Sequence, residues 1–157
     1  MATRRDLTFA TFDDIVLDAE NLLARGYDRA GNWDLAQCCG HLAEWMRFSL
    51  DGYPKVPLLL RPVVAVMRAT LGTGMLKKII TTGKFDTGGR TLKETVFAPG
   101  GNDAAAVAKL RETVERFKAH AGPFHPSPLL GQLTRGGWVR VNLAHCAHHL
   151  SFLVPKS

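Results

Sequence analysis

The sequence predicts an all-α protein built as an antiparallel helix bundle. Apolar residues recur at helical spacing in several separate segments of the 157-residue chain. Strand signals are weak, since only 6–10 alternates briefly and nothing obvious pairs with it. The length suits one domain with one core, so we expect a single domain over 1–157. Together these observations favour a packed bundle of helices.

Two helices are predicted in the first third of the chain. The segment 11–25 has apolar residues at i, i+3, i+4 and i+7, with Thr11 as a cap and Gly26 at its end. The second helix runs from Asp34, a natural N-cap, to about residue 51. One face of this second helix carries Leu35, Cys38, Leu42, Trp45 and Ser49.

Two further helices are predicted in the last third. The segment 103–119 has a regular apolar seam and can be capped by Asn102 or Asp103. The last helix begins near Thr134 and runs to Leu153. One side of it carries Trp138, Val141, His145, His149 and Phe152. Loops rich in Gly and Pro, 83–101 and 121–134, precede these helices.

The segment 57–82 predicts a helix that breaks at Gly72 and Gly74, apolar before the break and basic after it. Its four basic residues exclude a membrane-spanning helix, which needs about 20 mostly uncharged residues: Arg61, Arg68, Lys77 and Lys78. The stretch 56–84 could contact anionic lipid or an acidic partner. We favour the solvated end of a packed helix, because the basic residues do not form a dense cluster.

Charge and cysteine content narrow the function classes. The formal net charge is +6, but basic residues occur along the chain without a dense run, which disfavours direct nucleic-acid binding. Three cysteines cannot all pair, and the adjacent Cys38 and Cys39 are a poor pair on a helix. A reducing cytoplasm is therefore the simpler expectation. No apolar run follows the charged N-terminus, so we see no signal peptide.

His145 and His149 are the first candidates for chemistry. Their spacing of four places both imidazoles on one face of the last helix, among apolar residues, where both could reach one cation. His148 lies about 100° away and is expected to face outward or partly outward. The pair alone fits two interpretations equally well: metal ligands, or buried neutral histidines that are hydrogen-bonded.

His41 on the second helix could supply a third ligand. Three neutral imidazoles would form a facial set with open positions for water or substrate, as in catalytic metal sites. Such a set suits zinc, nickel, iron or cobalt. The core of a bundle is a common place for such a site.

Neighbouring residues have both functional and structural interpretations. Cys38 and Cys146 could be ligands, but small buried hydrophobes are the commoner role. Glu44, three residues after His41, could be a partner of a ligand or a general base, and a solvated carboxylate is favoured. Asn142 could orient a ligand or substrate. The aromatic residues would line a pocket or fill the core: Trp33, Trp45, Trp138 and Phe152.

Three runs of residues, at 32–42, at 145–150 and at 125–131 followed by Trp138, resemble motifs of the DinB/YfiT-like superfamily, in its uncharacterised bacterial branch of unknown function. The run from Asn32 to Leu42, Asn-Trp-Asp-Leu-Ala-Gln-Cys-Cys-Gly-His-Leu, resembles the Trp-Ser…His-Leu motif of its second helix. His-Cys-Ala-His-His-Leu, at 145–150, resembles its His-x-x-His-His motif. Between them, His125-Pro-Ser-Pro-Leu-Leu-Gly131 followed by Trp138 is similar to its approach to the last helix.

The resemblance implies a four-helix bundle, often a homodimer, with a divalent metal held by His41, His145 and His149. The segment 57–82 would then be a helical insertion between the second and third core helices. Characterised relatives include thiol S-transferases that use bacillithiol or mycothiol, and a mycothiol-dependent maleylpyruvate isomerase. In these the metal is expected to hold a low-molecular-weight thiol as a thiolate. The last motif departs from many relatives, which have Arg where this chain has Leu150.

The leading hypothesis is therefore a metal-dependent enzyme, a thiol-dependent S-transferase or a hydrolase, acting on a small-molecule substrate. A second hypothesis is a non-catalytic stress-response or small-molecule-binding bundle whose histidines are structural. A third is a peripheral membrane or partner-binding module that uses 56–84.

Overall fold

A computed structural model describes residues 2–85 and 93–157 of the chain. Its helices are α1 (Phe12–Arg25), α2 (Leu35–Asp51), α3 (Arg61–Met67), α4 (Thr73–Thr82), α5 (Asp103–Ala119) and α6 (Arg135–Leu150). Short 3₁₀ turns occupy Leu58–Leu60 and Lys93–Thr95, and a π turn, Arg68–Gly72, joins α3 to α4. The described chain is mostly helical, which confirms the predicted all-α class.

Side-chain caps begin the helices where the sequence predicts them. In α2, the Asp34 carboxylate accepts from the Gln37 N–H, and the Gln37 side chain accepts from the Asp34 N–H. Thr11 and Asp14 form the same reciprocal pair at α1. Each pair satisfies N–H groups that have no partner within the helix, and one cap contributes about 1 kcal/mol. The start of α2, and with it the position of every later α2 side chain, is thereby fixed.

Helices α1, α2, α5 and α6 contribute to one buried core. Helix α2 packs along α5, and both α1 and α2 contact α6. Full burial of one large apolar side chain contributes about 1.5–3 kcal/mol. The largest fully buried side chains include Trp138, Phe117, Leu110, Leu42, Met46 and Ile15.

A two-stranded sheet was not predicted from the sequence. Strand β1 (Tyr27–Arg29) pairs antiparallel with β2 (Leu153–Pro155). The last helix ends at Leu150, so its predicted end at Leu153 is wrong. Strands of three residues are too short to show an alternating pattern. The sheet ties the connection between α1 and α2 to the chain that follows α6.

The stretch 58–82 is helical without the predicted break. The chain continues from Leu58 to Thr82 as one helix that passes through the π turn. Gly72 is buried there, and a Cβ at this position would overlap the carbonyl oxygen of Leu129. The glycine therefore serves close packing against the loop before α6 rather than ending the helix.

The prediction that this segment is too charged for a membrane-spanning helix is wrong by length and composition. Within the described residues, Leu58–Thr82 is 25 residues long and apolar enough to cross a membrane by length and composition, with only 6% of its most apolar stretch buried. The sequence-based prediction included Lys77 and Lys78 among the charges of the segment, but both lie near the end of the helix, outside its most apolar part. Length and composition alone do not make this helix a membrane span.

Gly72→Ala should destabilise the protein by several kcal/mol, because the new methyl group meets a backbone carbonyl that cannot rotate away. Gly74→Ala is the matched control, since nothing lies within 4 Å of a Cβ there. That change should stabilise by up to about 1 kcal/mol through helix propensity. Urea unfolding of both variants measures the difference, and equal effects would contradict the packing of Gly72.

Candidate metal centre

Helices α2 and α6 bring three histidine rings together. His41 lies on α2, and His145 and His149 lie one turn apart on α6. The Nε2 atom of His145 is 3.1 Å from Nε2 of His41 and 3.1 Å from Nε2 of His149. One nitrogen of each ring lies within 4.8 Å of the other two, close enough for the three to hold a metal ion.

The separations match those between the ligands of one metal. Two imidazole nitrogens bound to zinc at about 2.1 Å and a tetrahedral angle lie roughly 3.4 Å apart. The two 3.1 Å distances are close to this value. The cluster therefore has about the size of a metal coordination sphere.

The proton on His41 can be assigned from its other nitrogen. Nδ1 of His41 lies 3.2 Å from the carbonyl oxygen of Thr95, which can only accept a hydrogen bond. Nδ1 therefore carries the hydrogen, and in the neutral ring Nε2 presents its lone pair to the other two histidines. This is the orientation that a ligating histidine needs.

The contacts of His145 cannot both be hydrogen bonds. If Nε2 of His145 carries a hydrogen, it can donate that hydrogen to only one of the two neighbouring histidines, and it has no lone pair with which to accept a hydrogen bond from the other. If its Nε2 is bare, it faces the bare Nε2 of His41. A cation at the centre would satisfy all three nitrogens at once. Nδ1 of His145 is also buried, with no hydrogen-bond partner in the described part of the chain.

Burial keeps all three imidazoles neutral. It lowers the pKa of His41 to about 4 and that of His149 to about 2. The pKa of His145 falls well below its usual 6.5, first through burial and then through the neighbouring histidines. Since only the neutral ring has a lone pair for a metal, these rings are ready to bind one at neutral pH.

Aromatic side chains fix the orientation of the rings. The indole of Trp33 stacks on His149 at 5.2 Å between centroids and 10° between planes. Trp45 contacts His145 edge-on at 4.9 Å. The backbone N–H of Ala30, just after β1, donates to the Phe152 carbonyl at 2.7 Å, which holds the loop bearing Trp33 against the end of α6.

A cavity of about 270 Å³ lies beside the three histidines rather than on them. Phe85 lines this cavity, and its ring also packs on His145 at 5.1 Å between centroids. The Phe85 ring thus stands between the cavity and the histidine cluster. Basic side chains supply much of the remaining wall: Arg4, Arg5, Lys84 and His148.

The structure places the predicted pocket residues at different distances from the cluster. Trp45 contacts it directly. Trp138 and Asn142 are buried in the core, where Trp138 Nε1 and Asn142 Nδ2 lack partners among the described residues. The Arg4 guanidinium lies over the Phe152 ring, with its Cζ atom 4.2 Å from the ring centroid. Glu44 forms an ion pair with Arg47 at 2.7 Å, which engages its carboxylate.

The cysteines behave as buried thiols. All three are free and buried, so no disulfide forms. The Cys38 S–H donates to the His149 carbonyl at 3.9 Å, and burial raises the pKa of this thiol to about 12. Burial also raises the pKa of Cys146. Neither belongs to the group of possible metal ligands in the described chain.

The other histidines lie outside the cluster. His148 is half-buried, with Nδ1 3.3 Å from the Arg4 guanidinium. His125 is exposed, and Nε2 of His120 lies 3.2 Å from the Pro123 carbonyl near the end of α5. All three therefore lie outside the histidine cluster, and the half-buried position of His148 agrees with its expected outward or partly outward orientation.

Two contributors to the site were missed by the sequence analysis. Thr95 contacts His41 through its backbone carbonyl, which no side-chain pattern reveals. Phe85 lies in a loop without periodicity, and only its aromatic character after a basic helix could have drawn attention to it.

One family comparison gave a match. A family model described as "Protein of unknown function (DUF1569)" matches residues 1–156. The chain matches no curated protein and no solved structure.

His149→Ala should lower metal occupancy at least tenfold, because it removes one of three converging nitrogens. His148→Ala, one residue away and outside the cluster, is the matched control and should leave occupancy unchanged. Elemental analysis of untagged protein after equilibration with a limiting metal measures both. Equal losses would contradict the assignment of ligands.

Metal-stripped protein should lose stability as the pH falls from about 6.5 toward 4. The pKa of His41 is lowered to about 4 in the folded protein, whereas in the unfolded chain it is near 6.5. As the pH falls below 6.5, the unfolded chain therefore binds a proton at His41 before the folded protein does. This favours unfolding, so the stability present above pH 6.5 is lost. Between pH 6.5 and 4.5 this group contributes a loss of about 2 kcal/mol. Urea unfolding of wild type and His41→Asn should show their stability difference shrinking by that amount. A difference independent of pH would contradict neutral burial.

Proposed function

The chain belongs to the DUF1569 family, a family of unknown function, and we propose from its site that it is a metal-dependent enzyme. His41, His145 and His149 would hold one divalent metal ion: zinc, nickel or iron. The observation that carries the proposal is the convergence of three imidazole nitrogens from two helices. Three protein ligands leave coordination positions open, which is typical of catalytic rather than structural sites.

The motif resemblance supports the same proposal. The three positions that the DinB/YfiT-like motifs mark as ligands are the three that converge in the structure. On this basis α1, α2, α5 and α6 would be the four core helices of a bundle of that type, and the segment from Leu58 to Thr82 would be its insertion. Homodimer formation and a cytoplasmic location stay predictions of the sequence.

The residues of the chain have defined roles in this proposal. The Thr95 carbonyl fixes the His41 tautomer, and Trp33 fixes the plane of His149. A divalent metal bound to the cluster would lower the pKa of a thiol or a water molecule and supply a nucleophile at neutral pH. Phe85 and Trp45 pack against His145 and limit the access of bulk water.

The nucleophile would come from outside the chain. Cys38, the cysteine that approaches the cluster, stays protonated at neutral pH because burial raises its pKa to about 12. Glu44 is engaged by Arg47. A low-molecular-weight thiol or water therefore remains as the activated group, which corresponds to an S-transferase or a hydrolase.

Cobalt-substituted protein tests the proposal directly. Addition of a low-molecular-weight thiol should change the visible spectrum if the thiol reaches the metal, and an electrophilic co-substrate should then be consumed. An activated ester tests the hydrolase branch. We expect His145→Ala to reduce either activity at least a hundredfold, while Cys38→Ser keeps it within about twofold.

Two outcomes would contradict the proposal. Activity that survives complete metal removal would mean that the histidines are not catalytic ligands. Full metal occupancy with neither a spectral response to thiol nor any hydrolysis would favour the non-catalytic binding protein.

A further inference from the structure

The excess positive charge of the chain lies in one segment. Residues 52–85 contain six basic residues and no acidic one. Removing these six from the total of twenty leaves fourteen, which equals the number of acidic residues in the whole chain. The remainder is therefore balanced, and the formal +6 belongs to the helix Leu58–Thr82 and its flanks. The basic residues are Lys55, Arg61, Arg68, Lys77, Lys78 and Lys84.

The same segment exposes a continuous apolar surface. Val63, Val66, Met67 and Leu71 recur at helical spacing, with 55%, 63%, 42% and 63% of each residue exposed. Leu59, in the preceding turn, is 89% exposed. Apolar side chains scattered singly on a surface need no explanation, but a row of them along one helix marks an interaction site. We call this row, from Leu59 to Leu71, the apolar ridge.

The ridge is held on the body of the protein by the other end of the helix. Ile79 is 1% exposed, and Met75 and Leu76 pack against the core. Gly72 lies against the Leu129 backbone. The apolar ridge is therefore part of a docked helix with one side packed and one side open.

We propose that the apolar ridge docks on the surface of an anionic lipid bilayer, with the helix lying in the plane of the interface. An interfacial helix combines apolar side chains that enter the acyl boundary with basic side chains that meet anionic headgroups. Arg61 and Arg68 are both exposed and seven residues apart, so they lie on one side of the helix, opposite the apolar ridge, where the Arg68 stem runs beside Gly131. Their long stems can extend from the interface to the headgroups.

Charge decides between lipid and a second copy of the chain. Two copies joined through this segment would bring two surfaces of the same sign together, whereas an anionic bilayer is complementary to it. Lying on the bilayer is favoured over crossing it, because the C-terminal half of the helix is packed on the body and two arginines would enter the hydrocarbon. This inference does not depend on the proposed enzyme activity.

Flotation of the whole 157-residue chain, loaded with metal, with vesicles tests the proposal. We expect binding to vesicles of phosphatidylcholine with phosphatidylserine, little binding to phosphatidylcholine alone, and loss of binding at high salt. Arg61→Gln/Arg68→Gln should weaken binding roughly tenfold or more. Arg29→Gln/Lys156→Gln removes the same charge from exposed positions elsewhere and should leave binding unchanged.

A second variant tests the apolar contribution. Val63→Ser/Val66→Ser changes only exposed side chains, so it should fold normally by circular dichroism, keep its metal content and lose most vesicle binding. Equal binding to neutral vesicles, or no binding to anionic ones, would overturn the proposal. So would a dimer in sedimentation analysis that this variant converts to a monomer, because a second copy would then cover the ridge.

Discussion

The contact between α2 and α6 confines three imidazoles in the interior, where water cannot form hydrogen bonds with their nitrogens. Buried polar atoms cost free energy unless they form hydrogen bonds. Nδ1 of His145 has no hydrogen-bond partner among the described residues, and its Nε2 cannot form hydrogen bonds to His41 and His149 at the same time. An apolar residue at any of these positions would avoid that cost. The arrangement makes physical sense if a cation supplies the missing interactions. The stability of the core and the chemistry of the site are therefore coupled at one point.

The rest of the fold holds that point in place. Asp34 caps α2, and it also accepts from the Gly100 N–H at 2.7 Å, so the start of α2 is joined to the loop before α5. Tyr27 in β1 accepts from the Leu35 N–H and donates to Asp103, which joins the same helix start to the sheet and to α5. The sheet in turn fixes the chain on both sides of the site. Elements that look peripheral thus set the distance between His41 and the α6 histidines.

The regular part of this molecule could be predicted from the sequence, and the irregular part could not. Caps such as Asp34 and Asn102 placed the helix starts, because local hydrogen bonds decide them. The spacing of His145 and His149 placed both on one face, since 3.6 residues form a turn. The pairing of Tyr27–Arg29 with Leu153–Pro155 depends on tertiary contacts across the whole chain. Gly72 suggested a helix break, but its lack of a side chain allows close packing against Leu129, a contact that the sequence does not reveal.

The exposed helix and the metal centre meet at residues 83–85. These residues directly follow α4 and line the cavity, and Phe85 also packs against His145. The apolar ridge precedes α4 in the chain, and α4 connects it to residues 83–85 beside the histidine cluster. Because Phe85 reaches the cluster through ring contact and the ridge is exposed over its length, the two features can be separated by substitution. If binding at the apolar ridge changes the histidine cluster, residues 83–85 must move. If it leaves the cluster unchanged, α4 holds Phe85 in place whether or not the ridge is covered.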